Sequence, residues 1–320
     1  MTKSKVENKV SLSLIVPIFN EVMAIDPFLK RINNTFKDQE LNFLEIIFVN
    51  DGSADATLST LMEHQCKDER IKIIDLSRNF GKEAALTAGL RAAKGELVVP
   101  IDVDLQDPPE LIVRMISIWR SGFDVVLARR TERFSDNWFK RLSAELFYYL
   151  NNLLSHPKLP ENVGDFRLMS RCVVDAINSM PESCRFMKGL FSWVGFKIAC
   201  IEYSRPRRVN GKTKFNFWKL WNLALEGITS FSTLPLRIFM YFGFIVSIFS
   251  VLFAIFILVR VIIFGIDVPG YASLIIAITF IGGLQLMGIG VLGEYLGRTY
   301  IESKRRPLYI VRHIYESTDP

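Results

Sequence analysis

Two carboxylates stand two residues apart at the end of an apolar run: Asp102 and Asp104, separated by Val103. Oxygen ligands of this kind suit Mg²⁺ or Mn²⁺, and Mg²⁺ is commonly held by one or two carboxylates together with substrate phosphates. A bare pair of this type is a weak motif, so its position carries the argument. Asp51 ends another apolar run. The pattern therefore predicts a site for a metal-bound phosphate.

Apolar runs that alternate with helical patterns position these carboxylates. Strands are predicted over residues 12–16, 44–49, 71–76, 97–102 and 125–128, with helices over 26–36, 55–67, 82–93 and 108–121. Buried strands separated by helices indicate an α/β fold with a mostly parallel sheet, and ligands bind at the carboxyl ends of such strands. Neither the glycine-rich fingerprint of common NAD enzymes nor a P-loop occurs in the sequence.

Three other acidic positions near the strand ends have simpler explanations. Asp55 is predicted to form a turn or to cap the following helix, and Asp107, just before Pro108, is predicted to be a helix cap. For Asp51, turn formation and ligand binding both stay open.

The composition excludes several classes of protein. Of the 320 residues, 50% are hydrophobic and 22% are charged, which is unlike a disordered chain. The net charge of +6 is compatible with anionic lipid, phosphorylated substrates or nucleic acid as partners. The four cysteines form no C-x-x-C pair and the three histidines are scattered, which disfavours a zinc site or a disulfide framework.

The last third of the chain is strongly apolar. Residues 238–259 and 271–293 contain no charged residue, and as helices they are long enough to cross a bilayer core of about 30 Å. We predict transmembrane helices at about 236–262 and 270–296. Arg237 precedes the first span and Arg260 stands at its far end, the connection over residues 261–270 has no lysine or arginine, and the tail after the second span is basic. This distribution predicts that both termini are cytoplasmic. Glu294 and Arg298 are expected to pair at the membrane edge.

These patterns predict four segments. They are a cytoplasmic α/β domain (residues 1–210), a juxtamembrane amphipathic segment (211–234), the two membrane helices (235–297) and a basic cytoplasmic tail (298–320). Trp218 and Trp221 favour an interfacial helix in the second segment, although a core helix of the α/β domain stays an alternative. The first ten residues are polar and no apolar stretch follows them, so we expect no signal peptide.

Basic residues gather after the fifth strand and before the first membrane helix. Such groups can attract anionic lipid or hold a phosphate through charge-assisted hydrogen bonds. The residues concerned are Arg129, Arg130, Arg205, Arg207, Lys212 and Lys214. A metal site for one phosphate and a basic site near the membrane for another suggest one soluble and one lipidic substrate. Nucleic acid is disfavoured, because no base-stacking aromatics accompany the charge.

Seven runs in order resemble family 2 glycosyltransferases of the polyprenyl-phosphate type, among them the bactoprenol glucosyltransferases. They are IVPIFNE, VNDGS, RNFGKE, DVDLQDPPE, VGDFRLMSR, GKTKFN and LGEYLGRTYIESKRRPLYIV, and the resemblance covers about residues 10–312. It implies a GT-A fold and inverting transfer of glucose from UDP-glucose to undecaprenyl phosphate. The reaction would occur at the cytoplasmic face of the bacterial inner membrane, in O-antigen or other surface-glycan modification. The Q-x-x-R-W motif of processive relatives is absent, which implies one sugar per acceptor.

The resemblance also implies roles for individual residues. Uridine and ribose would be held by Pro17, Phe19, Glu21 and Asp51. The rest of the nucleotide sugar would meet Lys82, Asp102 and Val103, and the metal would bind Asp104 with Asp102 nearby. Gln106 would contact the sugar or diphosphate, and Asp165 and Arg167 would lie beside the reacting centre. The lipid phosphate would meet the six basic residues named above. Val103 replaces the commoner alanine of this motif, and its side chain is expected to point away from the metal.

The chemistry leaves the role of Asp165 open. A phosphate acceptor is largely a dianion at neutral pH, because its second pKa lies near ~6. Asp165 is therefore predicted to orient the acceptor, with general-base action as the alternative.

The motifs do not fix the donor sugar, so galactose, mannose or aminoarabinose are alternatives to glucose. A non-catalytic membrane scaffold or flippase component is the alternative from another class. Expected partners are membrane lipid, further copies of the chain, a downstream flippase and a second glycosyltransferase.

Overall fold

A computed structural model describes residues 9–37, 39, 41–130, 163–182, 185, 187–203, 233–264 and 270–316. Its strands are β1 (Val10–Ile18), β2 (Leu41–Asn50), β3 (Ile71–Leu76), β4 (Leu97–Pro100), β5 (Val125–Arg130), β6 (Val163–Ser170), β7 (Ile198–Tyr203) and β8 (Val311–Tyr315). Its helices are α1 (Val22–Phe36), α2 (Thr57–Gln65), α3 (Lys82–Ala92), α4 (Glu110–Arg120), α5 (Arg171–Ser179), α6 (Met187–Trp193), α7 (Leu234–Phe264) and α8 (Tyr271–Ser303).

The described strands form one mixed sheet in the order β7-β5-β6-β4-β1-β2-β3-β8. The strands β1 to β4 are parallel where they pair, as are β5 and β7. The predicted α/β fold with a mostly parallel sheet is thus confirmed. The antiparallel strands are β6, between β4 and β5, and β8, outside β3.

Two apolar layers cover the two faces of this sheet. Successive residues of β1 alternate between them, so that Leu14 packs in one layer and Ile15 in the other. The first layer is completed by apolar residues of α1, α2 and α4, including Phe28 and Trp119. The second is completed by α3, α5 and α6. Burial on both faces explains why these strands are continuously apolar.

The segment after the last helix contributes a strand to the sheet. The sequence predicts only a basic tail there, but β8 pairs antiparallel with β3, and the Ser77 amide donates to the Ile310 carbonyl at 2.9 Å. The tail thus returns to the domain that contains β1.

The helices α7 and α8 are long and apolar enough to cross a membrane. The window Leu236–Phe253 has a mean hydropathy of 2.1 and Phe280–Ser303 one of 1.2, and neither window is buried within the chain. Both helices extend past the predicted bounds, since α7 spans Leu234–Phe264 and α8 continues to Ser303. The predicted Glu294–Arg298 pair forms at 3.1 Å. Most of the predicted juxtamembrane segment, residues 211–232, lies outside the described residues.

Candidate active site

A cleft of about 330 Å³ opens at the carboxyl ends of β1 to β4. This is the edge where the sequence predicts ligand binding. The structure brings eight of the predicted residues together around it: Pro17, Phe19, Glu21, Asp51, Lys82, Asp102, Val103 and Asp104. Asn79, Gly81 and Ala85 also line the cleft, and no sequence pattern assigns them separate roles.

The loops after β1 and β2 are tied to each other at one side of the cleft. The Asn20 amide donates to Ser53 Oγ at 3.0 Å, and Asn20 Oδ1 accepts from the Ala54 amide at 2.8 Å. Asn20 has a φ of +54°, a left-handed conformation that asparagine tolerates better than most residues. The Glu21 amide donates to Thr57 Oγ1 at 3.1 Å. These bonds fix the entry to α1 beside the entry to α2.

Asp51 organises the opposite wall of the cleft. Its carboxylate oxygens accept from the backbone amides of Phe80 and Gly81 at 2.7 and 2.9 Å, and the side chain is buried. The Arg78 guanidinium lies 4.1 Å from the centre of the Phe80 ring. Asp51 therefore shapes the 80–81 turn and also borders the cleft, so turn formation and ligand contact are compatible.

Asp55 takes the local role that the sequence predicts. Its Oδ1 accepts from the Thr57 amide at 3.0 Å, at the start of α2. The hydrogen bond from Thr57 lowers the pKa of Asp55 below its ordinary value. This turn lies next to the loop that contains Asp51 without adding a carboxylate to the cleft.

Lys82 joins two acidic residues that come from different strands. Its Nζ lies 2.7 Å from Asp102 Oδ1 and 2.9 Å from Asp165 Oδ2. Burial alone would lower the pKa of Lys82, but the attraction of Asp102 and Asp165 outweighs it and raises the pKa above its ordinary value. The ammonium thus holds the carboxylates of Asp102 and Asp165 together at the rim of the cleft.

The loop after β4 carries Asp104 to the open side of the cleft. Asp104 is exposed, and its Oδ1 accepts from the Gln106 amide at 3.1 Å. Between them, Leu105 has a φ of +57°, which is unusual for a residue with a branched side chain. Strained backbone of this kind often occurs at functional sites. Gln106 itself is buried, and the amide that it donates to Asp104 is that of its backbone.

The carboxylates of the cleft fit a divalent metal that would take its remaining ligands from a substrate. Within the described residues, no three acidic, histidine or cysteine side chains cluster as a complete metal site. The two Asp102 oxygens already face Lys82, at 2.7 and 3.0 Å, which leaves the exposed Asp104 carboxylate as the accessible ligand. One or two carboxylates with phosphate oxygens and water are a usual arrangement for Mg²⁺.

Asp107 makes a contact with a residue far away in the chain. The helix α4 begins at Glu110, and the carboxylate of buried Asp107, three residues earlier, accepts a hydrogen bond from the Tyr203 hydroxyl. That Asp107 also caps this helix stays a prediction. Burial, with the charge of Asp107, raises the pKa of Tyr203 to about 12. The phenol therefore keeps its proton and links the end of β7 to the loop that carries Asp104.

Arg130 joins the same cluster. Its Nε donates to the Tyr203 hydroxyl at 3.2 Å, and its Nη2 lies 3.9 Å from Asp107 Oδ1. Arg129, its neighbour on β5, is exposed. The other four residues predicted to contact a lipid phosphate, which are Arg205, Arg207, Lys212 and Lys214, lie outside the described residues.

Arg167 lies in the core rather than on the cleft surface. It is 3% exposed, its Nη2 donates to the Gly164 carbonyl at 2.7 Å, and its guanidinium stacks 4.0 Å from the centre of the Phe191 ring. Burial lowers the pKa of Arg167 to about 10, which leaves it charged at neutral pH. From this position it can support β6, which carries Asp165, without direct contact with a ligand in the cleft.

Gly52 is required by the packing of the cleft wall. It has a φ of +67°, and a Cβ built on it would lie 2.5 Å from the Arg78 carbonyl carbon. A Gly52→Ala variant is therefore expected to lose about 1–3 kcal/mol of stability and to show weaker binding of the UDP that the sequence resemblance implies, because the backbone of residues 78–79 must move. Thermal unfolding and UDP titration measure the two effects.

Gly122 provides the matched control for that change. It has a φ of +98°, but a Cβ there meets nothing within 4 Å. Gly122→Ala should cost only the backbone strain and leave UDP affinity unchanged. Equal loss of stability in the two variants, with equal UDP affinity, would contradict the importance of the close approach to Arg78.

Comparisons with known proteins identify the family. The model of glycosyl transferase family 2 matches residues 13–177. The prophage bactoprenol glucosyl transferase homolog of Escherichia coli (strain K12) is 53% identical over 95% of this chain and 99% of its own length. The bactoprenol glucosyl transferase of Shigella phage SfV is 53% identical over 94% of this chain and 98% of its own length. The chain belongs to glycosyltransferase family 2 and is a glycosyltransferase.

A solved structure supports the fold. The glucosyl-3-phosphoglycerate synthase of Mycobacterium tuberculosis, in complex with Mn²⁺, UDP and phosphoglyceric acid, has a TM-score of 0.50. It is 20% identical and the match covers 69% of this chain and 76% of that one. The described sheet and helices thus have the GT-A arrangement that the sequence resemblance implies.

Proposed function

We propose that this enzyme transfers glucose from UDP-glucose to undecaprenyl phosphate in a metal-dependent reaction that inverts the sugar linkage. The observation that carries the proposal is the arrangement of Lys82 between Asp102 and Asp165, beside the exposed Asp104. The names of the relatives, which share about half of their residues with nearly the whole chain, support the glucosyl group and the bactoprenol acceptor.

The donor would occupy the cleft with its uridine near Pro17, Phe19, Glu21 and Asp51. Phe19 is 44% exposed, so its ring is available to stack against a base. The diphosphate would then lie toward Asp104 and Lys82. A divalent metal bound by Asp104, with Asp102 nearby, would neutralise the negative charge of the departing UDP. Lys82 supplies a second positive charge for the same oxygens.

The acceptor needs little help to become a nucleophile. A phosphate monoester is largely a dianion at neutral pH, since its second pKa lies near ~6. Asp165 already faces the Lys82 ammonium at 2.9 Å. This contact favours an orienting role for Asp165 over proton abstraction. Gln106 would support the sugar or the diphosphate from the loop after β4, and Arg167 would support β6 from the core.

The acceptor would reach the cleft from the membrane. In this proposal α7 and α8 cross the inner membrane, both termini are cytoplasmic, and residues 211–234 lie in the interface. The catalytic domain comprises residues 1–210 together with β8 from the 298–320 segment. The exposed Arg129 and the basic residues between 205 and 214 would hold the lipid phosphate, while Arg130 is engaged with Tyr203. Further copies of the chain, a flippase and a second glycosyltransferase are proposed partners.

An assay of the purified full chain in detergent tests the proposal. Undecaprenyl phosphate is supplied with Mg²⁺ or Mn²⁺ and, in turn, UDP-glucose, UDP-galactose, an aminoarabinose donor and GDP-mannose. We expect glycolipid and UDP release with UDP-glucose only, and only while metal is present. Preference for another donor would replace the sugar in this proposal. Folded protein that binds UDP but makes no glycolipid with any donor would contradict the proposal and favour a scaffold.

A further inference from the structure

An irregularity in the pairing of β3 with β8 brings Arg312 of β8 to the end of β3. Asp75 pairs with His313 and Leu76 pairs with Val311, so Arg312 is an extra residue between two paired positions. Bulges of this kind commonly re-aim a side chain. Here the re-aimed side chain belongs to a strand that follows both apolar helices in the chain.

Arg312 makes two contacts at the end of β3. Its Nη2 donates to the Ser77 carbonyl at 2.7 Å, and its Nη1 lies 3.4 Å from Asp75 Oδ2. The Arg312 side chain is 60% exposed, whereas that of Asp75 is 1% exposed. A buried carboxylate is costly unless a charge or a hydrogen bond compensates it. Arg312 thus supplies, from the surface, the positive charge that Asp75 requires.

Asp75 in turn holds Asn50, the residue that precedes Asp51 of the cleft. Asp75 Oδ1 accepts from Asn50 Nδ2 at 2.7 Å, and Asn50 Oδ1 accepts from the Ser53 amide at 3.3 Å. Asn50 is 1% exposed, so water cannot readily replace these bonds. The turn that they close contains Asp51, which accepts from the amides of Phe80 and Gly81. Asp75 Oδ2 has no hydrogen bond among the described residues, which leaves Arg312 to balance its charge.

We propose that Arg312 is a positioning residue for donor binding. The contacts form a continuous chain from Arg312 through Asp75 and Asn50 to the 50–53 turn, and no described step exceeds 3.4 Å. If β8 leaves β3, Asp75 keeps a buried charge without compensation, and Asn50 loses a fixed partner. Donor affinity therefore depends on the segment that follows α8. The inference rests on the proposed function, because that proposal assigns the 50–53 turn to the donor.

The test compares Arg312→Ala with Glu316→Ala in the full chain in detergent. Glu316 also joins the tail to β3, through an ion pair with Lys72 Nζ at 2.7 Å, and it has no described contact with Asp75 or Asn50. Two measurements are made: hydrogen exchange of the amides at residues 50–53 and 80–81 without ligand, and steady-state kinetics. We expect Arg312→Ala to speed exchange at both turns and to raise the KM for UDP-glucose roughly three- to tenfold. Its kcat and acceptor KM, and all values for Glu316→Ala, should stay near those of the unmodified protein.

A second substitution separates positioning from general loss of structure. Asp75→Asn removes the buried charge but keeps an oxygen that can accept from Asn50 Nδ2. Adding it to Arg312→Ala should therefore restore slow exchange and the donor KM, even if the single variant folds poorly.

Three results would overturn the inference. They are equal effects of Arg312→Ala and Glu316→Ala, unchanged exchange in Arg312→Ala, and no recovery in the double variant. A different result would separate the two proposals. If the unmodified protein shows no turnover with UDP-glucose, but Arg312→Ala still speeds amide exchange at both turns, the contact chain is supported and the proposed function is contradicted.

Discussion

Asp104→Ala is expected to abolish detectable turnover, with a loss of about 10³-fold or more. In the proposed mechanism the exposed Asp104 carboxylate binds the metal, so without it the charge that develops on departing UDP would lose its main counter-charge. The measurement is glycolipid formation at saturating Mg²⁺ or Mn²⁺, with UDP binding determined separately with and without metal. Metal should strengthen UDP binding to the unmodified protein and have no such effect in the variant.

Asp104→Asn provides the control for the shape of the loop. Asp104 Oδ1 accepts from the Gln106 amide at 3.1 Å, and an asparagine oxygen can accept the same bond. If turnover depends on the negative charge of Asp104, both variants are inactive. An active Asp104→Asn would assign to Asp104 a role in holding the turn at Leu105 and would contradict metal binding there.

Asp165→Asn should keep more activity than either Asp104 variant, because the proposed role of Asp165 is to orient the acceptor. An inactive Asp165→Asn with normal donor binding would support the general-base interpretation.

Lys82→Met is expected to lower kcat/KM by about 10²-fold, which is ~2.7 kcal/mol of transition-state stabilisation. The ammonium lies within 2.9 Å of both Asp102 and Asp165. Its removal leaves two negative groups beside the place proposed for the diphosphate. Steady-state kinetics with UDP-glucose and undecaprenyl phosphate measure the loss.

The same variant should also be less stable, because the two carboxylates lose the cation that both of them contact. Combining it with Asp165→Asn removes one of the negative charges and is expected to recover thermal stability without recovering activity. Recovery of both would mean that Lys82 only holds the carboxylates apart and has no contact with substrate. A Lys82→Met protein with normal kcat/KM would remove Lys82 from the proposed mechanism altogether.

The first part of the sheet is predictable from the sequence because its signals are local. The strand β3 lies at the predicted residues 71–76, and β1, β2, β4 and β5 differ from their predictions by a few residues at the ends. Each is an apolar run followed by polar turn residues, and burial on both faces keeps such runs continuous. The grouping of Asp51, Asp102 and Asp104 follows from the same argument, since parallel strands bring their carboxyl ends to one edge.

The parts that were missed depend on distant residues. The strand β8 contains Arg312 and His313 among five residues and is mostly exposed, so its sequence carries no apolar alternation. Only its pairing with β3 defines it. The hydrogen bond of Asp107 with Tyr203 joins residues that are 96 positions apart, so no local pattern predicts it. The contact of Lys82 with Asp165 likewise joins α3 to β6, and no sequence spacing indicates it.

The position of β8 in the chain has a consequence for biosynthesis. The ribosome completes β1 to β7 first, then both apolar helices, and only afterwards the strand that covers the outer edge of β3. Until then that edge presents unpaired amides and carbonyls, a condition that favours association with other nascent chains. Maturation of the catalytic sheet therefore follows synthesis of α7 and α8, and an enzyme released before that point would carry an open edge and an unfinished donor turn.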